Sequence, residues 1–188
     1  SITGDLSLQR RPMKRVINPL SQMGAVFETN NGFLPLTISG GNLQPLKYLS
    51  PHASAQVKSA ILLAALFTDG LTTVEEPYVS RNHTELMLIQ FGANLRTEGR
   101  RVEIWGRPVL RGRAIQIPGD ISAAAFFMVA AAIIPGSDIL IRNVGINPTR
   151  CGIVDALRAM GADLQLQNKR FWGQEPVADI RVRGHEEI

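Results

Sequence analysis

The residues best equipped for chemistry in this sequence are arginines, and they cluster: Arg10, Arg11 and Arg15, then Arg100, Arg101, Arg107, Arg111 and Arg113. A guanidinium stays charged at physiological pH and grips a carboxylate or phosphate through two parallel N–H bonds. The net charge is +4, from 20 Lys and Arg against 16 Asp and Glu. Charge alone leaves three readings open: a nucleic-acid surface, a site for small polyanions, or a solvated basic face. The clusters lack the interleaved aromatics of single-strand binders, which weighs against nucleic acid. A second candidate is Ser54-Ala55-Gln56, at the head of an Ala-rich run. A hydroxyl and free N–H groups at a helix start form an anion site, and Gln56 can both donate and accept. The plainer reading is that Ser54 only caps the helix. A third is the polar loop Ser80-Arg81-Asn82-His83-Thr84. His83 has a convenient neutral-range imidazole but reads as a helix-start residue. Asp120 reads as an N-cap, and Lys58 as a side chain that snorkels from an apolar helix.

The elements that must position these groups emerge from self-comparison. Leu20-Ser21-Gln22-Met23-Gly24-Ala25 recurs as Leu88-Ile89-Gln90-Phe91-Gly92-Ala93 and as Leu157-Arg158-Ala159-Met160-Gly161-Ala162. The Gly-Ala pairs recur at almost the same interval, each after an apolar pattern at helical spacing, so each glycine is expected to end a helix in a left-handed conformation. Ser54-Ala55 and Ser122-Ala123 open Ala-rich runs, from Ala53 to Leu66 and from Ile121 to Ile133, and these are offset by that same interval. Ser122 is read as a cap only. One unit reads strand, helix, strand, helix, strand, strand over about 68 residues. The first helix of each unit is almost wholly apolar and is expected in a domain interior. Pro12 suits a first helical turn, and Pro19 is expected to kink its helix. Ile117-Pro118-Gly119-Asp120 reads as a hinge, dividing 1–117 (about one and a half units of one domain) from 118–188 (one unit, the start of a second).

Composition is that of a globular protein, 45% hydrophobic and 19% charged. The longest apolar run, Ala123 to Pro135, is shorter than a membrane span and reads as a buried helix. The start, Ser1-Ile2-Thr3-Gly4-Asp5, has no signal-peptide pattern. Cys151 is the single cysteine, so no internal disulfide forms; this fits the cytoplasm, and no Cys/His metal-ligand spacing occurs.

Several segments together resemble the 5-enolpyruvylshikimate-3-phosphate synthases. They are Gly4-Asp5-Leu6-Ser7-Leu8 running into Arg11-Pro12-Met13-Lys14-Arg15-Val16, Ser54-Ala55-Gln56-Val57-Lys58-Ser59-Ala60, and Ser80-Arg81-Asn82-His83-Thr84-Glu85. Pro118-Gly119-Asp120-Ile121-Ser122-Ala123-Ala124 and Asn143-Val144-Gly145 through Asn147-Pro148-Thr149-Arg150 complete them. The forms around Ala55 and Arg11 resemble the bacterial class II branch. The resemblance implies an α/β (α+β) fold of repeated β-α-β-α-β-β units, helices inside and sheets outside. It implies transfer of the enolpyruvyl group of phosphoenolpyruvate to shikimate 3-phosphate. Arg11 would meet phosphoenolpyruvate; Ser54, Ala55, Gln56, Ser80 and Arg81 would bind shikimate 3-phosphate. No cofactor or metal, no nucleic acid and no membrane is implied, and the complete enzyme would be a monomer. No residue here matches the family's catalytic groups, so the chain alone is expected to be inactive and to need the remainder of the same enzyme. Two competing readings are the sister UDP-N-acetylglucosamine enolpyruvyl transferase and a non-catalytic binding or assembly fragment. Cys151 falls at the wrong repeat position for the sister family's loop cysteine.

Overall fold

The computed structural model describes residues 1–185 of the 188-residue chain. The chain divides into two compact units, Ser1–Gly112 and Arg113–Ile188.

The first unit opens with α1 (Leu6–Gln9), capped by the Asp5 carboxylate, and α2 (Lys14–Gln22). A hairpin follows, β1 (Val26–Asn30) paired antiparallel with β2 (Phe33–Ser39). Pro12 does not start α2 as expected. The Met13 N–H donates to Gly32 O at 2.8 Å, which holds Met13 outside the helix as its N-cap. Pro19 is buried inside α2, which runs through it as one helix.

The complete repeat comes next: β3 (Lys47–Leu49), α3 (Ala55–Ala65), β4 (Leu71–Glu75), α4 (His83–Phe91), β5 (Leu95–Glu98) and β6 (Arg101–Trp105). Its sheet has the order β3-β4-β6-β5, with β3 and β4 parallel on either side of α3. The two-residue period of β6 sends Val102 and Ile104 inward, 2% and 0% exposed, against Val57, Ile61, Leu62 and Ala65 of α3 and Leu88 of α4. Burying such side chains contributes roughly 1.5–3 kcal/mol each.

The second unit repeats this plan with α5 (Ile121–Ile133), β7 (Asp138–Gly145), α6 (Gly152–Ala159), β8 (Asp163–Trp172) and β9 (Glu175–Arg183), and its sheet has the order β7-β9-β8. The first strand of the repeat shrinks to one parallel bridge between Gly119 and Val144. Pro118 beside it has no N–H to extend a ladder. Ile121, Met128 and Ala132 of α5 pack with Val154 and Leu157 of α6 and Leu164, Ile180 and Val182 of the sheet. The expected interior position of the apolar helices holds for one face only. Phe126, Phe127 and Ile133 of α5 are 79%, 64% and 64% exposed. The three Gly-Ala glycines, Gly24, Gly92 and Gly161, all take the left-handed conformation, with φ of 102°, 96° and 90°.

The second unit holds a buried carboxylate. β7 and β8 each bulge, between Ile141 and Val144 and between Gln167 and Arg170, and Asn143 and Asn168 sit in the bulges at φ 59° and 49°. Asp179 of β9 lies between them. It accepts from the Asn143 N–H at 2.9 Å, from Asn168 Nδ2 at 3.0 Å and from Arg170 Nη2 at 3.3 Å. The Asn168 bond first, then the Asn143 N–H and Arg170, hold its carboxyl below the usual range. Exposed Asp138 is pulled to about 2, chiefly by Arg181. A carboxyl with a depressed folded pKa stabilises the fold above its unfolded value near 4, and that contribution disappears as pH falls through the folded value. The unfolding midpoint of this unit in urea should therefore drop between pH 5 and pH 2. Asp179→Asn should be less stable at pH 7 and show a shallower drop; an unchanged pH slope would contradict the assignment.

Candidate functional site

In the first unit, the start of α3 and the start of α4 open side by side. Ser54 takes an extended conformation, φ −151°, and its Oγ accepts from the Val57 N–H at 3.4 Å, as an N-cap does. Ala55 and Gln56 form the first turn beyond it. They line a recess of about 240 Å³ together with Ser59 from α3 and Arg81, His83 and Thr84 from α4 and the loop before it. Ser59 and Thr84 join their hydroxyls at 2.6 Å across this recess. Arg81 is exposed, and among the described residues no carboxylate pairs with it. An unneutralised guanidinium beside the positive end of an 11-residue helix attracts an anion. Gln56 and the hydroxyl pair supply neutral polar contacts for the rest of such a ligand.

Behind the recess lies a charged cluster that sequence reasoning missed. Lys58 does not snorkel: it is 3% exposed, and its Nζ lies 2.9 Å from Glu76 Oε2 and 2.7 Å from Glu85 Oε1. Glu76 and Glu85 are equally buried. Through its other contacts Glu76 accepts from the Ser54 N–H at 2.8 Å and from Ser80 Oγ at 2.8 Å. Thus Ser54 and Ser80 converge on Glu76, while Ala55, Gln56 and Arg81 line the recess itself. The signal in the sequence was Lys58 itself. It stands one residue after Val57 and three and four before Ile61 and Leu62, on the face α3 buries.

Arg11 stands apart from this recess. It follows α1, its N–H donating to Leu8 O at 3.0 Å, and its exposed guanidinium makes no hydrogen bond or ion pair among the described residues. Leu20 of α2 shares a second, apolar recess with Ala64 and Phe67 at the end of α3. The C-terminal ends of these two packed helices therefore lie together.

The second unit has its own version of this corner, and it is closed. The cap of α5 is Asp120, whose carboxylate accepts from the Ser122 N–H at 2.9 Å; Ser122 is not the cap, because α5 begins before it at Ile121. Arg150, from the loop before α6, is paired with Asp120 at 3.3 Å and also donates to Ser122 Oγ. Its charge is answered by a carboxylate, where among the described residues Arg81's is not. Cys151 caps α6 half-buried, and burial, with Asp155 adding, pushes its thiol up, away from nucleophilic use at neutral pH. Among the described residues no cluster of His, Cys, Asp and Glu is placed to hold a metal, and no helix is long and apolar enough to cross a membrane.

Comparison with known proteins agrees along the whole chain. The family model of EPSP synthase (3-phosphoshikimate 1-carboxyvinyltransferase) matches residues 1–188. The 3-phosphoshikimate 1-carboxyvinyltransferase of Desulforamulus reducens is 55% identical over 187 residues, covering 98% of this chain and 44% of the relative. That of Alkalilimnicola ehrlichii is 58% identical over 185 residues, 97% of this chain and 42% of the relative. EPSP synthase from Acinetobacter baumannii superposes with a TM-score of 0.88 at 50% identity, over 97% of this chain and 42% of that one. The enolpyruvyl transferase NikO from Streptomyces tendae shares the fold alone, with a TM-score of 0.72 at 16% identity, over 95% of this chain and 43% of that one. The chain thus spans less than half the length of the curated relatives it matches. With a family model that matches the whole chain and relatives more than half identical over nearly all of it, the chain belongs to the EPSP synthase family.

Proposed function

We propose that this chain supplies the shikimate 3-phosphate recess of a 3-phosphoshikimate 1-carboxyvinyltransferase. The observation that carries the reading is the unneutralised Arg81 beside the open first turn of α3, with Gln56 in the same recess. The phosphate would take Arg81 and the helix N–H groups, and the hydroxylated ring would take Gln56 and the neutral polar side chains. Arg11, in the turn before the neighbouring helix α2, would hold the carboxylate or phosphate of phosphoenolpyruvate. In the reaction the 5-hydroxyl of the acceptor, losing its proton, would add to C2 of phosphoenolpyruvate as the methylene carbon gains a proton; the resulting methyl group would then lose a proton as phosphate leaves, which restores the double bond. Two anions repel, so the guanidinium groups' first task is to hold both within reacting distance. The boundary between this enzyme's two domains would fall near Pro118, and the whole enzyme would be a cytoplasmic monomer.

Calorimetric titration of shikimate 3-phosphate into the chain tests the reading. Saturable binding is expected, with shikimate lacking the phosphate binding far more weakly. Arg81→Ala should weaken binding at least about tenfold, since a hydrogen bond to a charged group contributes roughly 1.5–3 kcal/mol. Equal affinity in Arg81→Ala, or preference for UDP-N-acetylglucosamine, would refute it.

A further inference from the structure

We propose that Glu76 is the positioning residue of this recess, and that through it the start of α3 and the loop before α4 are held as one preformed anion-binding surface. The inference rests on the shikimate 3-phosphate reading above and adds a residue that touches no ligand. Glu76 follows β4 and is 3% exposed, so its carboxylate is an acceptor shielded from water. It faces three donors from three places in the unit: the Ser54 N–H, the Ser80 hydroxyl and the Lys58 ammonium, at 2.8, 2.8 and 2.9 Å. Ser54 immediately precedes Ala55 and Gln56, and Ser80 immediately precedes Arg81. One carboxylate therefore sets the separation between the two segments that line the recess.

The far side of Glu76 is fixed as well. Its N–H donates to Arg100 O at 3.1 Å, and Arg100 Nη1 donates to Pro77 O at 3.0 Å. The carboxylate is thus anchored to the sheet on one side and to the two loops on the other. A ligand meeting groups already in place does not have to order them, which is the energetic benefit of preorganisation. A merely structural ion cluster would need only Lys58. The bonds to Ser54 and Ser80 aim at the recess, and they are what the proposal explains.

The test compares the wild-type chain with Glu76→Gln and Glu76→Asp. Gln keeps the shape but has one acceptor oxygen for three donors; Asp keeps the charge beside Lys58 but is one methylene too short to span both loops. Amide hydrogen exchange and shikimate 3-phosphate affinity are measured on the same samples. In both variants, exchange at Ser54 and across residues 80–82 should accelerate at least about tenfold while Ile61 and Leu62 in the middle of α3 keep their protection. The dissociation constant should rise at least about tenfold. Asp provides the reading if Gln fails to fold. Local exchange that is unchanged, exchange that rises uniformly through the unit, or affinity within twofold of wild type would each overturn the proposal. Absence of shikimate 3-phosphate binding by the wild-type chain would instead defeat the functional reading, and the exchange pattern would still decide whether Glu76 holds the two loops.

Discussion

Lys58→Met should destabilise the first unit by about 3–5 kcal/mol, the cost of removing one partner from a buried ion cluster. The cation stands between two carboxylates, at 2.9 and 2.7 Å, and all three side chains are 2–3% exposed. Glu85 depends on it most: neither of its oxygens has a directed hydrogen bond among the described residues, so the ionic contact with Lys58 is its compensation. Methionine fills much the same space and leaves two buried negative charges facing each other. Total stabilities of domains run near about 5–15 kcal/mol, so a loss this large removes much of the margin. Each unit carries one of the chain's two tryptophans, Trp105 and Trp172. In a Trp172→Phe background the fluorescence of Trp105 follows the first unit through urea unfolding. The double variant Lys58→Met with Glu85→Leu is expected to recover most of the loss. It removes the carboxylate that has least else to bind, and Glu76 keeps Ser54 and Ser80. A cost below about 1 kcal/mol for Lys58→Met, the scale of a solvent-exposed ion pair, would show that the cluster is hydrated in solution.

The repeat was legible because its signals are local. A glycine that ends a helix is recognised from the apolar pattern before it, and Gly24, Gly92 and Gly161 do take positive φ. The Ala-rich run from Ile121 to Ile133 coincides with α5, and the strand-helix-strand-helix-strand-strand order holds from β3 to β6. The recess was half legible for the same reason. Ala55 and Gln56 stand at a helix start that Ser54 announces, and Arg81 lies in a polar loop just before another helix. The converging carboxylates were not legible. Glu76 meets Ser54 across 22 residues and Ser80 across four, and only the tertiary fold brings the three together. Ser122 shows the limit of counting by offset. Its place matches Ser54 in the sequence, yet α5 begins earlier and Asp120 takes the cap. The residue type that closes the corner on Arg150 is thereby a carboxylate, whereas beside Arg81 the corresponding cap is a neutral serine. One repeat unit pairs its own arginine with a carboxylate, and among the described residues the other does not.

Gly106→Ala and Gly184→Ala are each expected to cost about 3 kcal/mol, the upper end of overpacking penalties, because the added methyl would meet backbone that cannot step aside. A Cβ on Gly106 would lie 1.9 Å from Thr68 O and 2.9 Å from Ala65 O; one on Gly184 would lie 1.9 Å from Ile134 O and 2.7 Å from Ala131 O. In both units the glycine follows the last strand and lets it pass against the final carbonyls of the apolar helix, α3 or α5. The contact is sealed by backbone bonds, Gly106 N–H to Gly70 O and Gly184 N–H to Ser137 O, both 2.9 Å. These two glycines are one structural position, although they lie farther apart in the sequence than the interval that relates the other landmarks. The difference is the growth of the closing hairpin, from strands of 4 and 5 residues to strands of 10 and 9. A comparison at fixed offset could not find them. Gly112→Ala is the control: nothing lies within 4 Å of its Cβ, so it should be neutral or stabilise by up to about 1 kcal/mol through the unfolded chain. Urea midpoints read from Trp105 for Gly106→Ala and from Trp172 for Gly184→Ala decide the matter. A change under about 0.5 kcal/mol at either site, the size of an ordinary surface substitution, would mean that the helix end and the strand end do not approach as closely as described. Two large losses beside an unperturbed Gly112→Ala would establish the close approach as a shared requirement of the repeat, set by backbone geometry and independent of the ligand.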